Sequence, residues 1–254
     1  MKRFFLHLLL TLLPLLALIQ AKGQFTYFEG SFGISATKYS SDFSNSVSSR
    51  AFSLNLSAVR RVARPIGFGL ELGLPLVQGG SAVYDQVEIE TSTQSVYSSY
   101  YWGSEFDMDE LEYTVRQRPI PRVLMRVYLG DGYSDFYFEG RFGFSSVKEE
   151  LTMQRDKIEY PDGTEYPEVD IDFSQNVSFT AIGLAMGYQN TYDTGWFFRI
   201  RGGFDIMNYE DHEIDEAFIY GTDDDGEVNI ATPRSLIDNS STLWVLDIGT
   251  GYYF

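Results

Sequence analysis

Ile66-Gly67-Phe68-Gly69-Leu70-Glu71-Leu72-Gly73-Leu74-Pro75-Leu76 alternates large apolar residues with glycine, glutamate and proline without a break. A period of two places every large apolar side chain of such a segment on one face of an extended strand, whereas a helix would scatter them around its axis. The segment therefore reads as a β-strand with one apolar face and one small or polar face.

The pattern recurs seven more times along the chain. Residues 25–38 set Phe28, Phe32, Ile34 and Ala36 against Tyr27, Glu29, Ser31, Gly33 and Ser35. Residues 50–60 set Phe52, Leu54, Leu56 and Ala58 against Ser53, Asn55 and Ser57. Over 111–129, Val115, Val123, Met125, Val127 and Leu129 oppose Thr114, Arg118, Arg122 and Arg126. Pro119 and Pro121 each remove a ladder donor there, which predicts a bulge or irregular pairing. Residues 135–147 place Phe136, Phe138, Phe142 and Phe144 opposite Tyr137, Glu139, Arg141, Gly143 and Ser145. The weakest alternation is 175–189, where Ile182, Leu184, Met186 and Tyr188 alternate with Ala181, Gly183, Ala185 and Gly187. Residues 195–209 oppose Trp196, Phe198, Ile200, Phe204 and Ile206 to Arg199, Arg201, Gly203 and Asp205. In 241–254, Trp244, Leu246, Ile248, Tyr252 and Phe254 oppose Val245, Asp247, Gly249 and Gly251. With 66–77 this makes eight predicted strands.

Their connections alternate in length. Residues 61–65, 130–134 and 190–194 are short turns, while 39–49, 78–110, 148–174 and 210–240 are long. Short turns on one side and long loops on the other are the habit of transmembrane barrels, and an even strand number leaves both chain ends on the short-turn side.

The N-terminus sets the compartment. Lys2 and Arg3 precede an apolar run from Phe4 to Ile19, and Ala21-Lys22-Gly23 offers a small-x-small cleavage site before Gln24. That layout is a secretory signal peptide over 1–23, leaving 24–254 as the mature domain. The run is short for a bilayer helix and Pro14 interrupts it. The chain has no cysteine, so neither a lipidated cysteine nor a disulfide framework is available.

Alternation alone also fits a soluble lipocalin-like barrel, which turns its apolar face inward. Bulky Phe, Leu and Trp on the apolar face overfill a small lumen, while the glycines, serines and matched charges of the other face pack inside a narrow one. A Gly-x-Trp near the mature N-terminus, expected of lipocalins, is missing. The last strand ends Ile248-Gly249-Thr250-Gly251-Tyr252-Tyr253-Phe254, with a final aromatic after alternating apolar positions.

With its signal peptide, eight alternating segments, turn asymmetry and terminal strand, the chain resembles the small eight-stranded outer-membrane β-barrel family, the OmpA-barrel and OmpX-like class. Gln24 after the cleavage site also resembles the outer-membrane barrels of the Bacteroidota. The resemblance implies an all-β fold, an eight-stranded antiparallel up-and-down transmembrane β-barrel with short periplasmic turns and long extracellular loops. It implies the outer membrane of a Gram-negative bacterium as location and the barrel-assembly machinery as partner. Tyr252 and Phe254 would serve as the C-terminal assembly signal. No peptidoglycan-binding domain is expected after Phe254.

Glu29, Glu71, Arg122, Arg126, Glu139, Arg141, Arg199, Arg201 and Asp247 lie at similar heights from the short-turn end, with Asp205 slightly higher. On an inward face these five acids and five arginines share one slab of the lumen, where buried charges must pair. The slab reads as a polar plug; a gate or proton relay is the functional alternative. The net charge of −17 is concentrated: 27 of the 36 acidic residues fall in 78–112, 148–173 and 208–238. This excludes a basic nucleic-acid surface. It suits a solvated outer face, divalent-cation bridging to lipopolysaccharide phosphates, or contact with an extracellular protein. Residues 217–220 with 227–230, and 158–160 with 164–166, read as hairpins. Strands continuing above a bilayer would make a protruding sheet whose edges bind proteins by strand addition. Tyr97, Tyr100, Tyr101 and Trp102 form an aromatic cluster suited to an interface.

No cofactor is expected, and Gly221 to Glu227 lacks the spacing of a calcium loop. The mature chain has one histidine, His212, with no serine at a suitable spacing, so an enzyme is not expected. The resulting function is a non-enzymatic barrel with a polar-plugged lumen in a structural or surface-interaction role. The alternatives are a narrow transporter for small or apolar molecules and a lipid-modifying barrel enzyme.

Overall fold

The computed structural model describes residues 26–39, 48–63, 65–79, 86–91, 99–102, 110–130, 134–159, 165–216, 218–222, 228–233, 235 and 237–254. The predicted signal peptide and Tyr97 lie outside them. In chain order the strands are β1 Thr26–Lys38, β2 Ser48–Ala63, β3 Ile66–Gly79, β4 Gln86–Thr91, β5 Ser99–Trp102, β6 Glu110–Gln117, β7 Ile120–Tyr128 and β8 Ser134–Arg155. They continue with β9 Ile158–Glu159, β10 Glu165–Tyr166, β11 Val169–Thr191, β12 Trp196–Tyr209, β13 Phe218–Thr222, β14 Val228–Pro233 and β15 Ser240–Tyr253.

Eight of these close on themselves. The order β1-β2-β3-β7-β8-β11-β12-β15 is antiparallel at every step, and β15 returns to β1 with Phe32 opposite Ile248. Closure removes both sheet edges, which an open sheet of this size would have to protect. β6 continues the line of β7 and pairs with β8. Between them the chain takes one extra residue: Gln117 faces Val147 but Arg122 faces Gly143. The irregularity expected at Pro119 is this bulge. Arg118 N donates to Ser146 O at 3.1 Å, and the Ser145 hydroxyl donates to Pro119 O at 2.7 Å.

The bulge corrects the orientations expected of Thr114, Val115 and Arg118; Thr114 stands opposite outward Glu150 and bonds to it at 3.3 Å. An extra residue flips the parity of everything beyond it. Val115, expected on the outer face with Val123, is buried inside, and Arg118, expected inside with Arg122, is exposed.

The large apolar residues of the lower barrel face outward. Phe32, Phe52, Phe136, Phe142, Leu184, Trp244 and Ile248 are all at least half exposed. Inside this girdle sit the polar and small residues. Residues 148–174, expected as a loop, are largely ladder: β8 and β11 run 22 and 23 residues and pair up to Arg155 opposite Val169. Along both, the chemistry of the two faces exchanges partway. On β8, outward Phe136, Phe138, Phe142 and Phe144 give way to outward Lys148, Glu150, Thr152 and Gln154. Inward Tyr137, Glu139 and Arg141 give way to inward Val147, Leu151 and Met153, with Glu149 and Arg155 buried among them. β11 does the same: Ile182, Leu184 and Met186 point out, whereas further up Val169, Ile171 and Val177 point in.

The upper barrel thus encloses an apolar core that includes Tyr113, Val147, Leu151, Phe179 and Met207. Ile214 and Ile237, from the chain between β12 and β15, fold down into it. His212 braces that segment, one ring nitrogen 2.8 Å from Glu210 O and the other 3.1 Å from Ile237 O. The two expected hairpins form, β9 with β10 and β13 with β14, and β13-β14-β4-β5 is a second antiparallel sheet.

Candidate functional site

The interior of the lower barrel is layered. At the short-turn end, Tyr27, Val59, Leu124, Tyr128, Tyr137 and Phe197 form a compact, mainly aromatic layer. Tyr27 and Phe197 meet edge to face with centroids 5.8 Å apart. Two rings are seated on glycines: a methyl group on Gly187 would come within 2.4 Å of the Tyr137 ring, and one on Gly251 within 2.3 Å of Phe197. This layer explains the weak alternation of β11. Its inward face is Gly183, Ala185 and Gly187 because neighbouring strands fill the space; at Gly183 the occupant is the Asp205 carboxylate.

Above lies the charged slab. The structure places all ten residues singled out in the sequence inside the barrel, and their ion pairs join them into one network. Arg201 contacts Glu139 at 2.7 Å, Glu139 contacts Arg126 at 2.5 Å, and Arg126 contacts Glu29 at 2.5 Å. Glu29 then contacts Arg199 at 3.1 Å, Arg199 contacts Asp247 at 2.9 Å, and Asp247 returns to Arg201 at 2.6 Å. This is a closed ring of alternating charge across β1, β7, β8, β12 and β15. A tail leaves it at Arg201: Glu71 at 2.6 Å, then Arg122 at 3.3 Å, Asp205 at 2.9 Å and Arg141 at 2.9 Å.

Every one of these side chains is less than 5% exposed. The charges balance, and two neutral groups join the network: Ser57 donates to Glu29 at 2.9 Å, and Arg199 donates to Ser31 at 2.7 Å. Guanidinium groups suit this role because one planar fork serves two carboxylates at once.

A further pair was missed from the sequence. Arg61, expected in the first turn, lies in β2 with its side chain inside, 3.2 Å from Asp135 and 4.3 Å above the Tyr128 ring. Its signal was present in retrospect, since Asp135 opens β8 on the inward parity. On the upper outer face, a hydrogen bond from the Lys148 ammonium holds the Glu150 carboxyl below its usual range, with Arg116 3.6 Å away. His212, though braced, has no nucleophile in contact with it among the described residues.

Tyr252 and Phe254 sit at the short-turn rim. Their rings are 4.9 Å apart, Phe254 also meets Phe28 at 5.8 Å, and Phe254 N donates to Thr26 O at 3.0 Å. Tyr252 packs on Trp196 at 5.3 Å, so the outward aromatics continue around this rim.

No family model matches the sequence. No curated protein matches it either. Among solved structures the chain is similar to Ail, the attachment invasion locus protein of Yersinia pestis, in complex with the heparin analogue sucrose octasulfate. The identity is 12%, over 91% of this chain and 99% of that one, with a TM-score of 0.44. It is similar to a major outer membrane protein of Thermus thermophilus at 14% identity, covering 91% and 100%, with a TM-score of 0.42. It is also similar to the outer membrane protease OmpT of Escherichia coli at 7% identity, covering 91% and 96%, with a TM-score of 0.38. The barrel assignment rests on the closed ladder itself.

Proposed function

We propose that this chain is a non-enzymatic outer-membrane β-barrel, exported through residues 1–23, whose lumen is sealed and whose work is done at its outer surface. The exchange of face chemistry on β8 and β11 supports the membrane setting. A strand that is apolar-out below and polar-out above suits two different surroundings, hydrocarbon and water, along one ladder. A soluble barrel needs no such exchange.

The observation that carries the sealed lumen is the closed ring from Arg201 through Glu139, Arg126, Glu29, Arg199 and Asp247, sitting on the aromatic layer. Eight strands leave an interior that side chains can fill, and here charged pairs and rings fill it in turn. The outer segments are then free for a structural or interaction role. Their acidic composition favours lipopolysaccharide phosphates bridged by divalent cations, or a basic protein surface. Tyr252 and Phe254 are the part offered to the assembly machinery.

The test is electrical. Reconstituted in planar bilayers, the wild type should show no steady single-channel current, and in cells it should fractionate with the outer membrane. Large, persistent conductance would remove the plug and with it this reading.

A further inference from the structure

Among the described residues, the barrel wall carries no ladder between the neighbouring strands β3 and β6. β3 is bonded to β7 from Ile66 opposite Val127 to Gly73 opposite Ile120. Above Gly73, β3 bonds only to β2 and β6 bonds only to β8, so among the described residues no ladder joins β3 to β6. Both borders are built against pairing. Pro75 and Pro119 carry no amide donor. β3 takes an extra residue at Leu76, between the pairs Phe52–Val77 and Ser53–Pro75, just as the other border does at Arg118.

Behind this seam, above the charged slab, lies a notch lined by Gly73 and Pro75 on one border and Gln117 and Ile120 on the other, with Leu243 and Val245 at the back. At rest it is tight, with room for about one water, so a larger guest must spread the unbonded borders.

Three buried polar groups on the notch wall have no partner: Ser53 Oγ, Asn55 Nδ2 and Arg122 Nε. All can donate. Each unpartnered buried donor is costly, so three on one wall favour an acceptor there. The slab beside them is already neutral, five arginines against five acids. An anion would therefore enter as an unpaired buried charge, whereas a neutral acceptor would not.

We propose that this notch is a binding site for a small neutral apolar molecule that carries one hydrogen-bond acceptor, such as a ketone or ester, admitted sideways through the unbonded β3–β6 seam. The acceptor takes the donors of Ser53, Asn55 and Arg122. The apolar remainder packs on Ile120, Leu243 and Val245. The notch shares Arg122 with the charged slab, so single-channel recording of the same refolded barrel separates a failure of the sealed lumen from a failure of this site.

Benzophenone is a suitable probe, since it has a single neutral carbonyl, two apolar rings, and forms adducts with nearby C–H bonds on irradiation. The full mature chain, refolded in phosphatidylcholine vesicles, should give saturable adducts at Ile120, Leu243 or Val245 by peptide mass mapping. Excess 2-octanone should suppress them, and octane or octanoate should not. Gly73→Ala projects a methyl group to 2.7 Å from Arg122 Nη1 and 3.2 Å from Asn55 Oδ1, filling the notch at the end of a flexible side chain. It should cut labelling about tenfold, the equivalent of one lost contact of moderate strength. Heat-modifiability on gels checks that the variant is folded. Labelling confined to outward residues, or suppression by octane as effective as by 2-octanone, overturns the proposal. So does stronger suppression by octanoate, or a Gly73→Ala variant that is folded and labelled like wild type; the three donors then hold only water.

Discussion

Arg201 is the branch point of the luminal network, and its removal should be the most damaging single change inside the barrel. Its guanidinium touches Glu71, Glu139 and Asp247 at 2.6–2.7 Å, and none of the three carboxylates is exposed to solvent. In Arg201→Ala each keeps one other arginine: Arg122 for Glu71, Arg126 for Glu139, Arg199 for Asp247. The slab nevertheless passes from neutral to a net charge of −1 with a void at its centre. Breaking a buried pair by deleting one partner costs about 3–5 kcal/mol. With a urea slope of about 1–3 kcal/mol per molar, the unfolding midpoint should fall by roughly 2 M. The assay is urea unfolding of the refolded barrel followed by tryptophan fluorescence and gel mobility. Arg116→Ala serves as control, because its pair with Glu150 lies on the outer face with the arginine 58% exposed, and such pairs contribute little. Adding Glu139→Gln to Arg201→Ala restores neutrality and should recover part of the loss. A midpoint shift in Arg201→Ala no larger than in Arg116→Ala, or a double variant weaker than the single one by the full additive amount, would refute a stabilising role for the buried network.

The remaining predictions concern assembly, orientation and packing. Deleting Phe254 removes a ring that packs on both Phe28 and Tyr252, and should lower the folded fraction recovered from outer membranes; wild-type recovery would count against an assembly role. Protease added to intact cells should cleave within 217–227 and spare the turn at 192–195, and cleavage confined to that turn would reverse the proposed orientation. Gly187→Ala should cost about 1–3 kcal/mol by urea titration through overpacking against the Tyr137 ring, while Gly202→Ala, with only Leu246 at 3.7 Å, should be nearly silent. His212→Ala should speed hydrogen exchange in 210–216 and 237–239, where its ring now bridges two carbonyls.

The eight strands were readable because the period-two signal survives wherever one face is uniformly apolar, as from Phe136 to Phe144. It misled at two kinds of place. At Val115 and Arg118 a single inserted residue reversed the parity, and the prolines that announced a bulge did not say which side of it would be out of phase. Above Ser145 the alternation continued but changed its meaning. Lys148, Glu150 and Thr152 look like a polar loop until Val147, Leu151 and Met153 are seen to share one inward face. The ten luminal charges were legible as a set, because their heights could be counted along each strand. Their pairing was not. Glu29 meets Arg199 because β15 separates β1 from β12 by a single strand, and that adjacency exists only once the sheet has closed. Arg61 escaped notice for a simpler reason: it lies two residues before the end of β2 and reads as part of the turn.

In the proposed membrane setting, the exchange of face chemistry along β8 has a mechanical consequence. From Phe136 to Phe144 the outward apolar stretch spans eight residue steps, which at about 3.3 Å per residue and a tilt near 40° is roughly 20 Å of vertical height. Sinking the barrel by two residues would drag Lys148 and Glu150, together with Asp172 and Asn176 of β11 behind them, toward hydrocarbon. Raising it would strip lipid from Phe144 and Ile206 at the upper edge of the girdle. Both displacements are opposed on several strands at once, and a basic residue on the lipid-facing side costs up to about 2–4 kcal/mol at the midplane. A barrel of this kind sits in a stiff vertical well. When the surrounding bilayer is thicker than its short girdle, the lipid is the softer partner and thins to meet it.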